Sequence, residues 1–229
     1  MSDPETNHSP INPIPPVVVA LFLVVIGIEL AFVLGARGLV GGPQAVGWRL
    51  GAIQTYAFSD DIFIWMATNG IWPLEHLMRF VSYLFVHANF THALFGSAMV
   101  LALGKFVGEV FSGWKVLVIF VLSGAAGAFG FTLFLTTSAP LLGVFPGVYG
   151  LIGAFTFLMW LKLGQMGANQ YRAFLMIGLL LGIQLLFGLI FGGNGDWVAD
   201  LVGFVTGFLL SFVLVPGGWA RIRARLRHD

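Results

Sequence analysis

The chain holds 229 residues, of which 58% are hydrophobic and 9% charged, with a mean hydropathy of +0.93. A soluble domain carries about a quarter charged residues, so this balance excludes one and points to a single polytopic membrane domain. The formal net charge of +1 argues against a nucleic-acid partner, and the lack of cysteine excludes disulfides, thiolate catalysis and cysteine-based metal sites.

Residues 1–16 read as a polar, proline-containing, disordered tail. They carry no Lys or Arg, so the basic region of a cleavable signal peptide is missing and the first apolar run reads as an uncut signal-anchor helix. Pro15 and Pro16 open this first span, Val17–Ala36, which places Glu29 in its outer half. Arg37, about two turns further on, is the expected ionic partner of Glu29. Residues 37–90 form a long connection. Gly41-Gly42-Pro43 predicts a turn, and Ser59-Asp60-Asp61 caps a short helix over Ile62–Thr68 that Asn69-Gly70 ends. Pro73 precedes a second short helix, Leu74–Val86. The rings of Trp48, Tyr56, Trp65, Trp72 and Tyr83 favour the membrane–water boundary, so the connection reads as short helices partly sunk in one leaflet.

Five more spans follow, over Ala93–Val110, Val116–Leu135, Gly147–Leu163, Phe174–Phe191 and Trp197–Val215, each close to the ~20 residues a bilayer requires. The fold class is therefore an all-α membrane protein: six transmembrane helices over residues 17–215, a long, partly membrane-embedded loop after the first, and a basic cytoplasmic tail at 216–229. With both ends inside, Lys105, Lys115, Lys162, Arg172 and the tail residues Arg221, Arg223, Arg225 and Arg227 fall on the inner side. Only Arg37, Arg49 and Arg79 fall outside, which supports an N-in, C-in plasma (inner) membrane protein.

Several polar groups interrupt this map. His87 and His92 lie five apart at the entry of the second span. Tyr149 stands in Gly147-Val148-Tyr149-Gly150 at the start of the fourth. Asp200 lies in the sixth, followed by Gly203 and Gly207. An ionisable group inside an apolar span marks a functional-site hypothesis, while Gly147, Gly150, Gly203 and Gly207 permit close helix packing. The simplest reading is a hydrogen bond from the Tyr149 hydroxyl to the Asp200 carboxylate. A wider reading adds His87 and His92 to a buried polar network. A zinc site from His87, His92 and Asp200 has suitable ligand types, but a five-residue spacing does not put both histidines on one helical face, so we expect no metal and no cofactor.

This order of features resembles the rhomboid family of intramembrane serine proteases. The resemblance rests on the six-span plan, the long first loop, the paired histidines and the glycine frames of spans four and six. Arg79, in Met78-Arg79, falls where the family has a Trp-Arg pair. The resemblance implies a serine in Gly-x-Ser-Gly on span four and a histidine base in Ala-His-x-x-Gly-x-x-x-Gly on span six. It also implies an asparagine four residues after the second span-two histidine, which helps hold the oxyanion. Here those positions are Tyr149, Asp200 and Gly96. A phenol ionises only near pH 10 and a carboxylate is a poor base for its proton. Losing one oxyanion donor costs on the order of 10²–10³ in rate. Ser97 and Ser123 have no histidine at a useful spacing and read as packing residues.

The resemblance thus implies a rhomboid pseudoprotease rather than an enzyme. Relatives without catalytic residues bind transmembrane segments of other membrane proteins in assembly, trafficking or quality control, and that is the expected role, with the bilayer itself as the other partner. In this family substrate helices enter laterally near the fifth span. Competing readings are an active protease with a non-standard site, a transporter, and a fixed subunit of a membrane protein complex.

Overall fold

The computed structural model describes residues 13–135, 137–191 and 195–217; the expected disordered tail and the tail arginines lie, for the most part, outside them. The chain runs through helices α1 (Pro16–Ala36), α2 (Trp48–Tyr56), α3 (Asp60–Asn69), α4 (Leu74–Leu77), α5 (Arg79–Ser82), α6 (Phe90–Gly108), α7 (Gly113–Phe134), α8 (Phe145–Gln165), α9 (Leu175–Phe191) and α10 (Trp197–Leu214). Among the described residues the one departure from helix and loop is an antiparallel bridge between Phe58 and Leu141. Among the described residues, five helices, α1, α6, α7, α8 and α10, are long and apolar enough to cross a membrane. The remaining expected span, α9, has 17 residues, about 25 Å at 1.5 Å per residue and at the short limit for a bilayer core.

The first loop folds back over the bundle through tertiary bonds. Ser59 caps α3, its hydroxyl accepting from the Ile62 amide at 3.4 Å, and Gly70 ends it in the left-handed conformation (φ 65°). Pro43–Gly47 and α2 form further helical turns where the sequence pointed only to a turn. The expected continuous helix over Leu74–Val86 is instead broken into α4, α5 and a 3₁₀ turn at Tyr83–Phe85. Two tertiary anchors lie in this segment. Arg79 donates to the carbonyls of Ala57 and Gln54, both at 2.8 Å, and the Tyr83 hydroxyl donates to the Gly124 carbonyl of α7 at 2.8 Å. The backbone stays in the right-handed helical region through Met78 and Tyr83, and the hydrogen bonding tightens to the 3₁₀ pattern at Tyr83–Phe85. On the loop's outer surface Ile71, Trp72, Leu74 and Trp65 are exposed, the composition of a surface that meets the membrane interface.

Glu29 does not pair with Arg37, which is exposed. The loop carries Arg49 back onto α1, where it forms a two-pronged ion pair with Glu29 at 2.6 and 2.9 Å and also donates to the His87 carbonyl at 2.8 Å. Glu29 is 1% exposed, and a buried carboxylate requires such a partner. The pair ties α1, α2 and the entry to α6 together.

The core is α8, wrapped by α6, α7 and α10. Small residues set the spacing. A Cβ on Gly150 would strike the Ser123 side chain of α7, one on Gly203 would strike the Pro146 carbonyl, and one on Gly207 would strike the Gly150 backbone. Phe157, Trp160, Phe204, Phe208 and Phe212 then stack between α8 and α10 below these contacts. α9 is attached differently. Ala173 and Ile177 are buried and Phe174 packs on Phe208 at 5.5 Å, whereas Leu179, Leu186, Leu189 and Ile190 beyond them are exposed.

Gly207→Ala places a methyl against backbone that cannot yield, so it should lower the unfolding transition in detergent by the equivalent of roughly 1–3 kcal/mol. Gly178→Ala on α9 meets nothing within 4 Å and should be neutral or stabilising through its better helix propensity. Equal effects from the two substitutions, read by thermal unfolding, would contradict the packing described.

Candidate functional site

Tyr149 lies one turn into α8 and Asp200 in the first turn of α10. The glycine contacts bring these two helix ends together. Both side chains are buried, at 5% and 3% exposure, and both line one cavity of about 290 Å³. They do not bond directly as the sequence suggested. The Tyr149 hydroxyl donates to Gln184 Oε1 at 3.1 Å, and Gln184 Nε2 donates to Asp200 Oδ2 at 2.8 Å. The amide of α9 is inserted between phenol and carboxylate, satisfying one with its acceptor and the other with its donor. Asp200 Oδ1 keeps no hydrogen-bond partner. Gln184 was absent from the sequence-derived site. Its one signal was an amide alone in Leu179-Leu180-Leu181-Gly182-Ile183-Gln184-Leu185-Leu186, where every neighbour is aliphatic or glycine.

The histidines occupy a separate layer. Asn89 caps α6, its side-chain oxygen accepting from the His92 amide at 2.9 Å, and this fixes His92 at the cavity wall. The His92 ring stacks on Phe145 at 4.9 Å and meets the His87 ring edge-on at 5.3 Å. His87 is 1% exposed, and its Nε2 accepts from the Val144 amide at 3.3 Å. Burial, together with the nearby His92 ring and Arg49 guanidinium, pushes His87 down to about 3, so it remains a neutral acceptor at ordinary pH. Among the described residues, no hydrogen bond joins either histidine to Tyr149, Gln184 or Asp200. The expected four-residue network is therefore two units: a Tyr149–Gln184–Asp200 chain, and a histidine pair bonded to the segment entering α8.

Gly96 faces that same segment. A Cβ there would run into the Val144 side chain, with Phe145 and His87 at 3.6 and 3.7 Å. The space an asparagine would need is filled by valine. Ser97 donates to the Ala93 carbonyl of its own helix at 2.6 Å, and Ser123 lies buried beneath Gly150. Neither serine is among the residues lining the cavity.

The fold and site define a polytopic helical membrane protein with a largely apolar cavity, carrying a few polar groups, near one end of a glycine-packed bundle. The sequence matches the Rhomboid domain family over residues 74–217, more than half of the chain and nearly all of the core just described. The chain belongs to the rhomboid family. Comparison with curated proteins gives no match.

Gln184→Leu leaves the Tyr149 hydroxyl and the Asp200 carboxylate without their shared partner, a cost of roughly 1–3 kcal/mol. Its main effect should fall on α9, whose described side chains beyond Gln184 are exposed. Hydrogen exchange should accelerate over residues 179–191 while α8 and α10 remain protected. Unchanged exchange in α9 would show that the amide does not hold the helix.

Proposed function

We propose that this rhomboid-family protein is a pseudoprotease that binds transmembrane segments of other membrane proteins and does not cleave them. The observation that carries this reading is the set of residues at the three chemical positions of the family: Tyr149 for the serine, Asp200 for the histidine base and Gly96 for the oxyanion asparagine. Among the described residues, the Tyr149 hydroxyl is not hydrogen-bonded to a histidine. The phenol instead donates to an amide, and the carboxylate accepts from the same amide. The glycines that pack α8 on α10 remain, so the scaffold is kept where the chemistry is not. The roles that fit are assembly, trafficking or quality control of membrane proteins.

Purified protein in liposomes should leave a labile transmembrane substrate intact. Tyr149→Ser with Asp200→His should remain inactive too, because Gly96 supplies no donor and Val144 blocks its replacement. Cleavage by the unmodified chain that disappears in Tyr149→Phe would overturn the proposal.

We further propose a plasma (inner) membrane location with both termini in the cytoplasm, on the distribution of basic residues. Lys105 and Lys115 flank the α6–α7 turn, and Lys115 reaches the Leu214 carbonyl at the end of α10 at 2.6 Å, so the ends of these helices share one side. Arg37, Arg49 and Arg79 belong to the other. The chain has no native cysteine, so single-cysteine variants report cleanly. In intact cells Gln44→Cys should react with an impermeant maleimide and Met166→Cys should not. The reverse pattern would invert the topology.

A further inference from the structure

A second cavity, of about 390 Å³, opens between α1, α2 and residues 82–86. Val24, Ile28 and Phe32 stand at four-residue intervals on α1 and make one wall, a stripe about 12 Å long at 1.5 Å per residue. Ala52 and Tyr56, one turn apart on α2, belong to another wall. Ser82 spends its hydroxyl on the Tyr56 carbonyl at 2.8 Å, and the surface inside the groove is apolar. The end near Phe32 is basic. The Arg49 guanidinium lies over the Phe32 ring at 5.2 Å. Its partner Glu29 is 1% exposed while the Arg49 side chain is 25% exposed, so the pair turns its positive member outward. Arg37, five residues beyond Phe32 at the end of α1, is exposed and makes no ion pair among the described residues. None of the residues lining the groove is acidic.

We propose that this groove holds one acyl chain of an anionic phospholipid, with the phosphate at the Arg49 and Arg37 end. Volume decides between occupants. An apolar cavity of about 150 Å³ takes a benzene ring, so this one takes roughly fifteen carbons, the size of an acyl chain. A transmembrane helix, about 10–12 Å across, would enter it only with single side chains. Depth agrees with the same occupant. The apolar stripe of α1 ends one to two turns before Arg37, so the chain carbons lie beside Val24, Ile28 and Phe32 while the phosphate reaches the boundary. The rings of Trp48 and Tyr56, 39% and 43% exposed, suit that headgroup level. Basic side chains near a membrane surface attract anionic headgroups, and arginine N–H groups bond phosphate oxygens. Glu29 and His87 take three of the five N–H donors of Arg49, which leaves two for a phosphate. The inference is independent of client binding.

The test titrates the full chain, delipidated in detergent, with dioleoyl phosphatidylglycerol and counts bound lipids by native mass spectrometry. The first phosphatidylglycerol should bind about tenfold more tightly than those that follow. Phosphatidylcholine should show no such first step. Ala52→Phe fills the groove and should abolish the tight step. Val24→Phe narrows it from a position 48% exposed, where a larger ring does not threaten folding, and should weaken the same step. Arg37→Gln should weaken it by about fivefold, one basic residue's share of the attraction, and leave the later lipids unchanged. A first lipid no tighter than the rest, or a tight step that survives both phenylalanine substitutions, would overturn the site. Equal binding of the two lipids would overturn the anionic headgroup and its basic end. A dimer that Ala52→Phe dissociates, with no tight lipid, would assign the groove to a second copy of the chain and overturn the lipid.

Discussion

Between Gly150 and Gly207 two helix backbones meet with no side chain between them. A methyl group at either position has nowhere to go, and Gly203 repeats the constraint one turn away against the Pro146 carbonyl. This approach determines where Tyr149 and Asp200 stand, because each lies a few residues from a glycine contact on its own helix. It also explains how an aspartate is tolerated inside an apolar helix. The close packing builds a small polar enclosure around it, and Gln184 from α9 completes one side of that enclosure. In a membrane the gain from burying apolar surface between helices is weak, so small-residue contacts and hydrogen bonds carry much of the association.

The two kinds of attachment divide the molecule. α7, α8 and α10 pack through close backbone approach, with aromatic contacts between α8 and α10. α1 is tied on through the buried Glu29–Arg49 pair, and that pair also fastens the first loop to the entry of α6. Among the described residues, α9 buries Ile177, packs Leu180 and Leu181 against the core and bonds to α8 and α10 through Gln184, while its later aliphatic side chains are exposed. A site built at such a boundary has a fixed wall and a wall that depends on a hydrogen bond. The phenol and carboxylate that stand at the family's chemical positions both spend their bonds on that second wall, and the valine that fills the space beside Gly96 closes off the third position.

Much of the scaffold was legible in the residues themselves. Glycine pairs at helical spacing, apolar runs near bilayer length and the placement of lysines are local signals, and the helices start and stop within a few residues of where those signals put them. Relations made through tertiary folding were not legible. Arg37 is nearer to Glu29 in sequence, but the loop returns Arg49 to it. The segment after Pro73 has a helical pattern, but its pairing tightens into a 3₁₀ turn at Tyr83–Phe85, where the Tyr83 hydroxyl bonds to α7. Tyr149 and Asp200 were recognisable as a pair, yet the residue joining them comes from a third helix, and an isolated glutamine among leucines has no periodicity to reveal which way it faces. Likewise the resemblance to the family marks Gly96 as the position where it has an asparagine, whereas the contact of that position with Val144 depends on a loop conformation that no local pattern encodes.

The central claim is that Tyr149 and Asp200 act as one unit through Gln184. A double-mutant cycle with Tyr149→Phe and Gln184→Leu, read as unfolding free energy in detergent, tests it directly. Tyr149→Phe should be destabilising in the unmodified chain and nearly silent once Gln184 is leucine, a coupling of about 1 kcal/mol. Additive effects of the two substitutions would mean that the phenol and the amide do not share a bond, and the account of the site would fail.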